Sequence, residues 1–282
     1  MVSFLPQASF IQPDDGSTTL PAPVATIPFA GRIGANQEFS VDKTNQQQVE
    51  FLKKFPDAAP WIPWKESLSL HQFLEIEIWK AGVIEGVGSC LLTYITCFIA
   101  IGLGQLVNNL ASGPLVPSLL GAMSALIVLP LLIFAAGPLS GGHLNPLITI
   151  ATFFTRLATL PRSIIYVTFQ TFGGAIAGWL LRASFDTRDF IVPGCQYNSS
   201  MVPIGSAFAI EFTTDFLLIF LSFSVGLDPR QRSVFGPALS PIFVGLGLAI
   251  CTFGTGFSRP GYTGFCMHRP TRKFQIYYKA YC

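Results

Sequence analysis

Along this chain the apolar positions gather into five long runs, at about residues 81–105, 114–137, 161–181, 202–226 and 235–257. Each is long enough to cross a bilayer, which takes roughly 17–25 predominantly apolar residues in helical form. Five transmembrane helices are therefore predicted. Between the second and third runs stands a polar, glycine-rich break, Ser140-Gly141-Gly142-His143-Leu144-Asn145-Pro146-Leu147. Unpaired backbone groups are costly against lipid, so such a break is tolerated only where irregular backbone lines a water-filled cavity. Asn145 suits a helix N-cap and Pro146 a first helical residue. The apolar stretch that follows, Leu147 to Phe154, is too short to span. The pattern predicts a re-entrant half-helix over 145–155, with its positive end pointing into the membrane. The function this suggests is a pore for uncharged solutes.

Composition strengthens that reading. Hydrophobic residues make up 50% of the 282 and charged residues only 11%, against about 25% charged in soluble domains. The net charge of +2 gives no reason to expect a nucleic-acid partner. The three histidines and six scattered cysteines form no CxxC or HExxH pattern, so no metal, cofactor or disulfide framework is expected. An enzyme using His143 with Glu85 or Glu211 lacks a nucleophile or a metal cluster. Residues 1–80 differ from the rest, being rich in Pro, Gln, Asp and Thr. They contain no early apolar run of the kind a cleaved signal peptide needs. They read as a polar, flexible cytosolic tail as far as about Asn45. Beyond it, Phe51 to Phe55 with Trp61, Trp64 and Trp79 read either as an approach to the membrane interface or as plain linker.

Lysine and arginine set the orientation. Arg32, Lys43, Lys53, Lys54, Lys65 and Lys80 precede the first span. Arg156 and Arg162 precede the third, and Arg230 and Arg232 the fifth, while 106–113 carries none. The alternation places the N-terminus in the cytosol and leaves the membrane compartment open. The 183–201 loop then lies outside, with Asn198-Ser199-Ser200 as an N-glycosylation sequon.

The chain also repeats itself. Ile84-Glu85 followed by Leu91-Leu92 matches Ile210-Glu211 followed by Leu217-Leu218, an offset of 126 residues. Pro117 and Gly121 match Pro241 and Gly245 at an offset of 124. Three spans separate the units, and an odd number inserts the halves in opposite orientations. Repeat one covers 81–181 and an incomplete repeat two covers 202–282, together an 81–282 channel domain. The offset asks for a second Asn-Pro break near residue 270. There the chain reads Arg269-Pro270-Thr271-Arg272, preceded by Tyr262-Thr263-Gly264, and the asparagine is missing. Gly82 and Gly86, with Gly174 and Gly178, form small-xxx-small pairs suited to close helix packing.

With these residues in view, the chain resembles the aquaporin (major intrinsic protein) family. The match runs through Ser140 to Pro146, the glutamates Glu85 and Glu211, Tyr166 to Gln170 with Gly173-Gly174-Ala175, Asp228-Pro229-Arg230, and Tyr262-Thr263-Gly264. Leu147, where the family has alanine, and the long N-terminal stretch are similar to the fungal X-intrinsic-like branch. The resemblance implies an all-α membrane protein, an inverted repeat with five full helices, one clear half-helix and a degraded second one. A sixth helix has no counterpart. It implies a passive channel for water and small uncharged solutes such as glycerol, assembled as a homotetramer in the lipid bilayer. The alternatives are a non-conducting truncated subunit that modulates intact relatives, or a misassigned C-terminal end of an ordinary channel. By the same resemblance His143, Asn145, Pro146 and Leu147 form the first pore box, and Arg269, Pro270 and Thr271 a degenerate second. Ala125, Gly256 and Arg272 fall at the selectivity filter, where two small residues imply a wide opening. His143 is expected to bond loop backbone, Glu85 and Glu211 to hold the re-entrant loops, and Leu147 either to narrow the pore or to pack.

Overall fold

The structure, a computed structural model, describes residues 28–34, 40–41, 46–109, 115–186, 198–231, 234–262 and 264. Among these, five helices are long and apolar enough to cross a membrane. They are α3 (Ile76–Asn109), α4 (Leu115–Ser140), α6 (Leu160–Phe185), α7 (Ile204–Ser222, prolonged by a π-turn over Phe223–Leu227) and α8 (Gly236–Gly256). Each apolar run of the sequence is found on one of them. Two short helices, α1 (Gln46–Lys54) and α2 (Trp64–Ser67), precede the bundle, and the half-helix α5 (Pro146–Phe154) interrupts it.

Where Gly86 meets Gly173, helix α3 lies against α6 with almost no side chain between them. A Cβ on Gly173 would stand 2.1 Å from the Gly86 carbonyl oxygen, and one on Gly86 would stand 2.9 Å from that of Phe169. Small residues permit this approach. The second partner is Gly173, however, not the expected Gly174, where a Cβ would meet open space. On the other side α4 meets α8. There Gly245 gives room to Pro130, whose ring would touch any added Cβ. The main core lies between these helix pairs and includes Leu92, Leu129, Ile133, Ile148, Leu218 and Leu248.

The N-terminal residues correct an expectation. Phe29, Ala30, Ile33 and Val41 are buried, although the stretch up to about Asn45 reads as flexible. Phe29 and Val41 join Phe55, Ile78 and Tyr166 in a second cluster, while Ala30 and Ile33 join the main core. The reason is tertiary. Seven residues with two large apolar side chains have no periodicity of their own, and other elements supply the surface that covers them. Behind this segment sits a buried polar knot. Arg162 Nε donates to Asp57 Oδ2 at 2.6 Å and Arg162 Nη2 to Asp57 Oδ1 at 3.2 Å. Gln72 donates to Asp57 Oδ1 at 3.2 Å, and Thr159 donates to Gln72. The knot ties residues 56–74 to the start of α6. A buried charge pair of this kind is costly to break, because removal of one partner leaves the other desolvated.

Candidate pore

The break after α4 folds as a loop that descends to the start of α5. Gly141 and Gly142 take φ of 103° and 69°, and Leu144 takes 51°, a region that glycine enters freely and leucine rarely. Glu85 holds the loop in this shape. Its carboxylate accepts from Ser140 Oγ at 2.5 Å, His143 N at 3.1 Å, Leu144 N at 2.6 Å and Gln170 Nε2 at 2.8 Å. A carboxylate has about four acceptor sites, as many as there are donors here. Ser89 Oγ adds a bond to the Leu144 carbonyl at 2.9 Å. The α3 residues Glu85 and Ser89 therefore clasp the loop at consecutive turns of one face.

At the bottom of the loop Asn145 takes extended backbone angles. Its Oδ1 accepts from Leu147 N at 2.9 Å, and Pro146 begins the helix. The first turn of α5 thus has one donor capped and one absent by chemistry. The end still carries the positive partial charge of a helix N-terminus. Leu147 is half-buried and packs against the core; it is not among the residues that line the cavity described next.

That cavity lies where α3, α4, α5, α7 and α8 converge. Its volume is about 20 Å³, room for about one water. Leu92, Leu129, Ile133, Ile148, Leu218, Val244 and Leu248 form apolar walls, and His143, Asn145 and Ser222 are the polar ones. Ser222 Oγ is buried and has no hydrogen-bond partner among the described residues. Buried hydroxyls are ordinarily satisfied by protein or by ordered water. The last wall is Ile33, from the N-terminal segment.

His143 was expected to bond loop backbone. Its Nε2 instead bonds the carbonyl oxygen of Gly31 at 2.8 Å, while Nδ1 meets Thr149 Oγ1 at 3.2 Å. The backbone it holds belongs to the N-terminal segment. Phe29 lies against the same imidazole, with ring centroids 5.6 Å apart. Ile33, Gly31 and Ser222 are the site residues that sequence reasoning missed. Ser222 carries no signal beyond a small polar residue in an apolar run, and the N-terminal pair carries none.

In the second repeat, Glu211 Oε1 accepts from the Tyr262 hydroxyl at 2.7 Å. A Cβ added to Gly256 would meet Ser118, two turns of α4 from Ala125, which is buried in the main core. Asn198 is exposed and closes a tight turn, its Oδ1 accepting from Ser200 N at 3.0 Å. Arg269, Pro270, Thr271 and Arg272 lie outside the described residues. Among the described residues no cluster of His, Cys, Asp and Glu has the arrangement to hold a metal.

Comparison with known proteins finds one family. The profile of the family described as Major intrinsic protein matches residues 72–276. Aquaporin PIP1-1 of Arabidopsis thaliana is 28% identical over 229 residues, covering 79% of this chain and 76% of that protein. Aquaporin PIP2-4 of Zea mays is 27% identical over 226 residues, 76% of each. A PIP-type aquaporin of Atriplex canescens is 30% identical over 205 residues, 71% of this chain and 68% of that protein.

Proposed function

The chain belongs to the major intrinsic protein family, and from that premise we propose that it conducts water and small uncharged solutes through the cavity beside Asn145. It is a multi-pass membrane protein of a channel family. The observation that carries the finer reading is the placement of Asn145. Its Oδ1 is committed to Leu147 N–H, so its amide N–H2 remains to donate into the cavity that the residue lines. A water that accepts this bond turns its oxygen toward α5, and the helix end favours the same orientation. A file of waters pinned in that way does not relay protons freely, and the positive end opposes cations. The apolar walls bind little, which suits fast passage.

The filter reading rests on the size of Ala125 and Gly256, and it favours glycerol-sized solutes over water alone. Arg272 would add the fixed charge of that filter, and Arg269, Pro270 and Thr271 the second half-pore. A homotetramer, a cytosolic N-terminus and glycosylation at Asn198 complete the reading.

The test is stopped-flow light scattering on proteoliposomes that hold either the full chain or residues 35–282. Water and glycerol permeability above that of empty vesicles is expected for at least one form. If neither exceeds empty vesicles, the channel reading falls. The role of Asn145 has its own check. Asn145→Asp sets a carboxylate at the helix end and should admit cations while impairing neutral flux. Unchanged patch-clamp currents and unchanged uptake would leave Asn145 as a helix cap alone.

A further inference from the structure

We propose that Phe29–Gly34 is an autoinhibitory plug, seated in one mouth of the pore and able to withdraw while the rest of the N-terminal region stays in place. The inference rests on the channel reading above. Its first support is position. Ile33 closes the same cavity that His143, Asn145 and Ser222 line. The Gly31 carbonyl holds His143 Nε2 at 2.8 Å, so backbone oxygen occupies a polar contact that a passing solute would otherwise make.

The second support is the way the segment crosses from one half of the molecule to the other. Ile33 N donates to the Gly141 carbonyl at 3.0 Å, on the loop of the first repeat. Gly34 N donates to the Gly226 carbonyl at 2.7 Å, in the π-turn that ends α7. A segment bonded to both repeats at once spans the mouth between them. The seat is shaped for these residues. A Cβ on Gly31 would meet the Leu157 carbonyl at 3.2 Å, one on Gly226 would meet Ile33 at 3.2 Å, and Gly34 has φ of +78°. Phe29 fills the space beside His143 and Tyr166 and lies under the Arg162 guanidinium, 4.1 Å from its ring centroid.

The third support is that the bonds holding the neighbourhood together do not run through the plug. Residues 56–74 are tied to α6 through Asp57, Gln72, Thr159 and Arg162. The plug is linked to that knot by one backbone bond, Ala30 N to the Asp57 carbonyl at 2.8 Å, and by the Phe29 ring against the Arg162 guanidinium; neither replaces a bond within the knot. It can leave without undoing the knot. Seating also has an opposing cost, since it buries Arg32. Burial is the main influence lowering the Arg32 guanidinium to about 10; Tyr166 acts the other way and the like charge of Arg162 adds to the lowering. A short segment held by a few bonds, and carrying a desolvated cation, is suited to two states rather than one.

The experiment compares the full chain, Ile33→Ala and residues 35–282 in proteoliposomes. Two quantities are read: osmotic water permeability, and the rate at which methanethiosulfonate ethylammonium modifies Ser222→Cys in each background, mapped by mass spectrometry. Removal of the plug should raise permeability several-fold and accelerate modification at position 222 by an order of magnitude or more. Ile33→Ala, which keeps the backbone bonds, should fall between. Equal permeability in all three, above that of empty vesicles, overturns the proposal. So does equal modification at position 222. Faster modification without flux in any form would keep the plug and remove the channel reading instead.

Discussion

Glu85 and Glu211 hold the same place in the two repeats, but the helix faces beside them are used differently. Glu85 gathers four donors, two of them backbone N–H groups of the loop that carries Asn145. Glu211 receives the hydroxyl of Tyr262, on the approach to the second break. On α3 the positions Gly82, Gly86, Cys90 and Tyr94 face α6, which comes close enough for Gly173 to touch Gly86 backbone. Displaced by the repeat offset of 126 residues, α7 carries Phe208, Phe212, Phe216 and Phe220. All four are 61% exposed, with Phe208 stacked on Phe212 and Phe216 on Phe220. One repeat thus uses its helix face to receive a neighbour, and the other turns a ladder of rings outward. An inverted repeat conserves the position of a helix face without conserving what that face packs against.

The largest expected effect breaks or keeps this contrast at the carboxylates. Glu85→Ala leaves buried loop N–H groups without acceptors, each at about 1–3 kcal/mol. A total loss of about 3–5 kcal/mol is expected, as for other broken buried networks. Glu211→Ala gives up the bond to the Tyr262 hydroxyl, which by itself is worth about 1–2 kcal/mol. Thermal unfolding in detergent, followed by tryptophan fluorescence, ranks the two. Equal losses would mean that the second repeat depends on its glutamate as fully as the first.

A smaller effect is expected at the helix crossing. Gly173→Ala forces a methyl group into the Gly86 carbonyl, 2.1 Å away, so α3 and α6 must separate. Overpacking of this kind costs about 1–3 kcal/mol. Gly174→Ala adds its methyl in open space and should shift stability by less than about 0.5 kcal/mol. The same unfolding measurement distinguishes them, and equal shifts would place the crossing elsewhere.

These two adjacent glycines show what was legible in the sequence. The five spans and the half-helix rest on local signals, apolar run length and an Asn-Pro break, and the helices stand where those signals put them. The small-xxx-small spacing announced a close crossing but not its face, because neighbouring residues on a helix point about 100° apart. It therefore favoured Gly174 over Gly173. The clasp by Glu85 was foreseeable, since a carboxylate inside a span needs donors and the loop offers them. The seat of Phe29 to Gly34 was not. Its contacts come from Asp57, Gly141, His143 and Gly226, distant in sequence, and no local pattern encodes a surface assembled from four places. The second break carries a weaker signal, and its Arg269 to Arg272 lie outside the described residues.

The smallest effect concerns the ladder on α7. Phe212 occupies the position of Gly86, yet its ring is 61% exposed. In a bilayer the ring exchanges contact with lipid tails for contact with lipid tails, because hydrocarbon surroundings supply no hydrophobic drive between helices. Phe212→Ala should therefore change stability by less than about 0.5 kcal/mol, the range of substitutions away from packed features. Gly86→Ala, whose new methyl would stand 2.9 Å from the Phe169 carbonyl oxygen, should cost several times more. The comparison needs both variants in the same lipid nanodisc, with unfolding followed by the same fluorescence signal. A loss above about 2 kcal/mol for Phe212→Ala would match a ring taken from a packed interior. The ladder would then be covered in the membrane, by another helix or another subunit, and the two repeats would be alike in receiving a neighbour on this face.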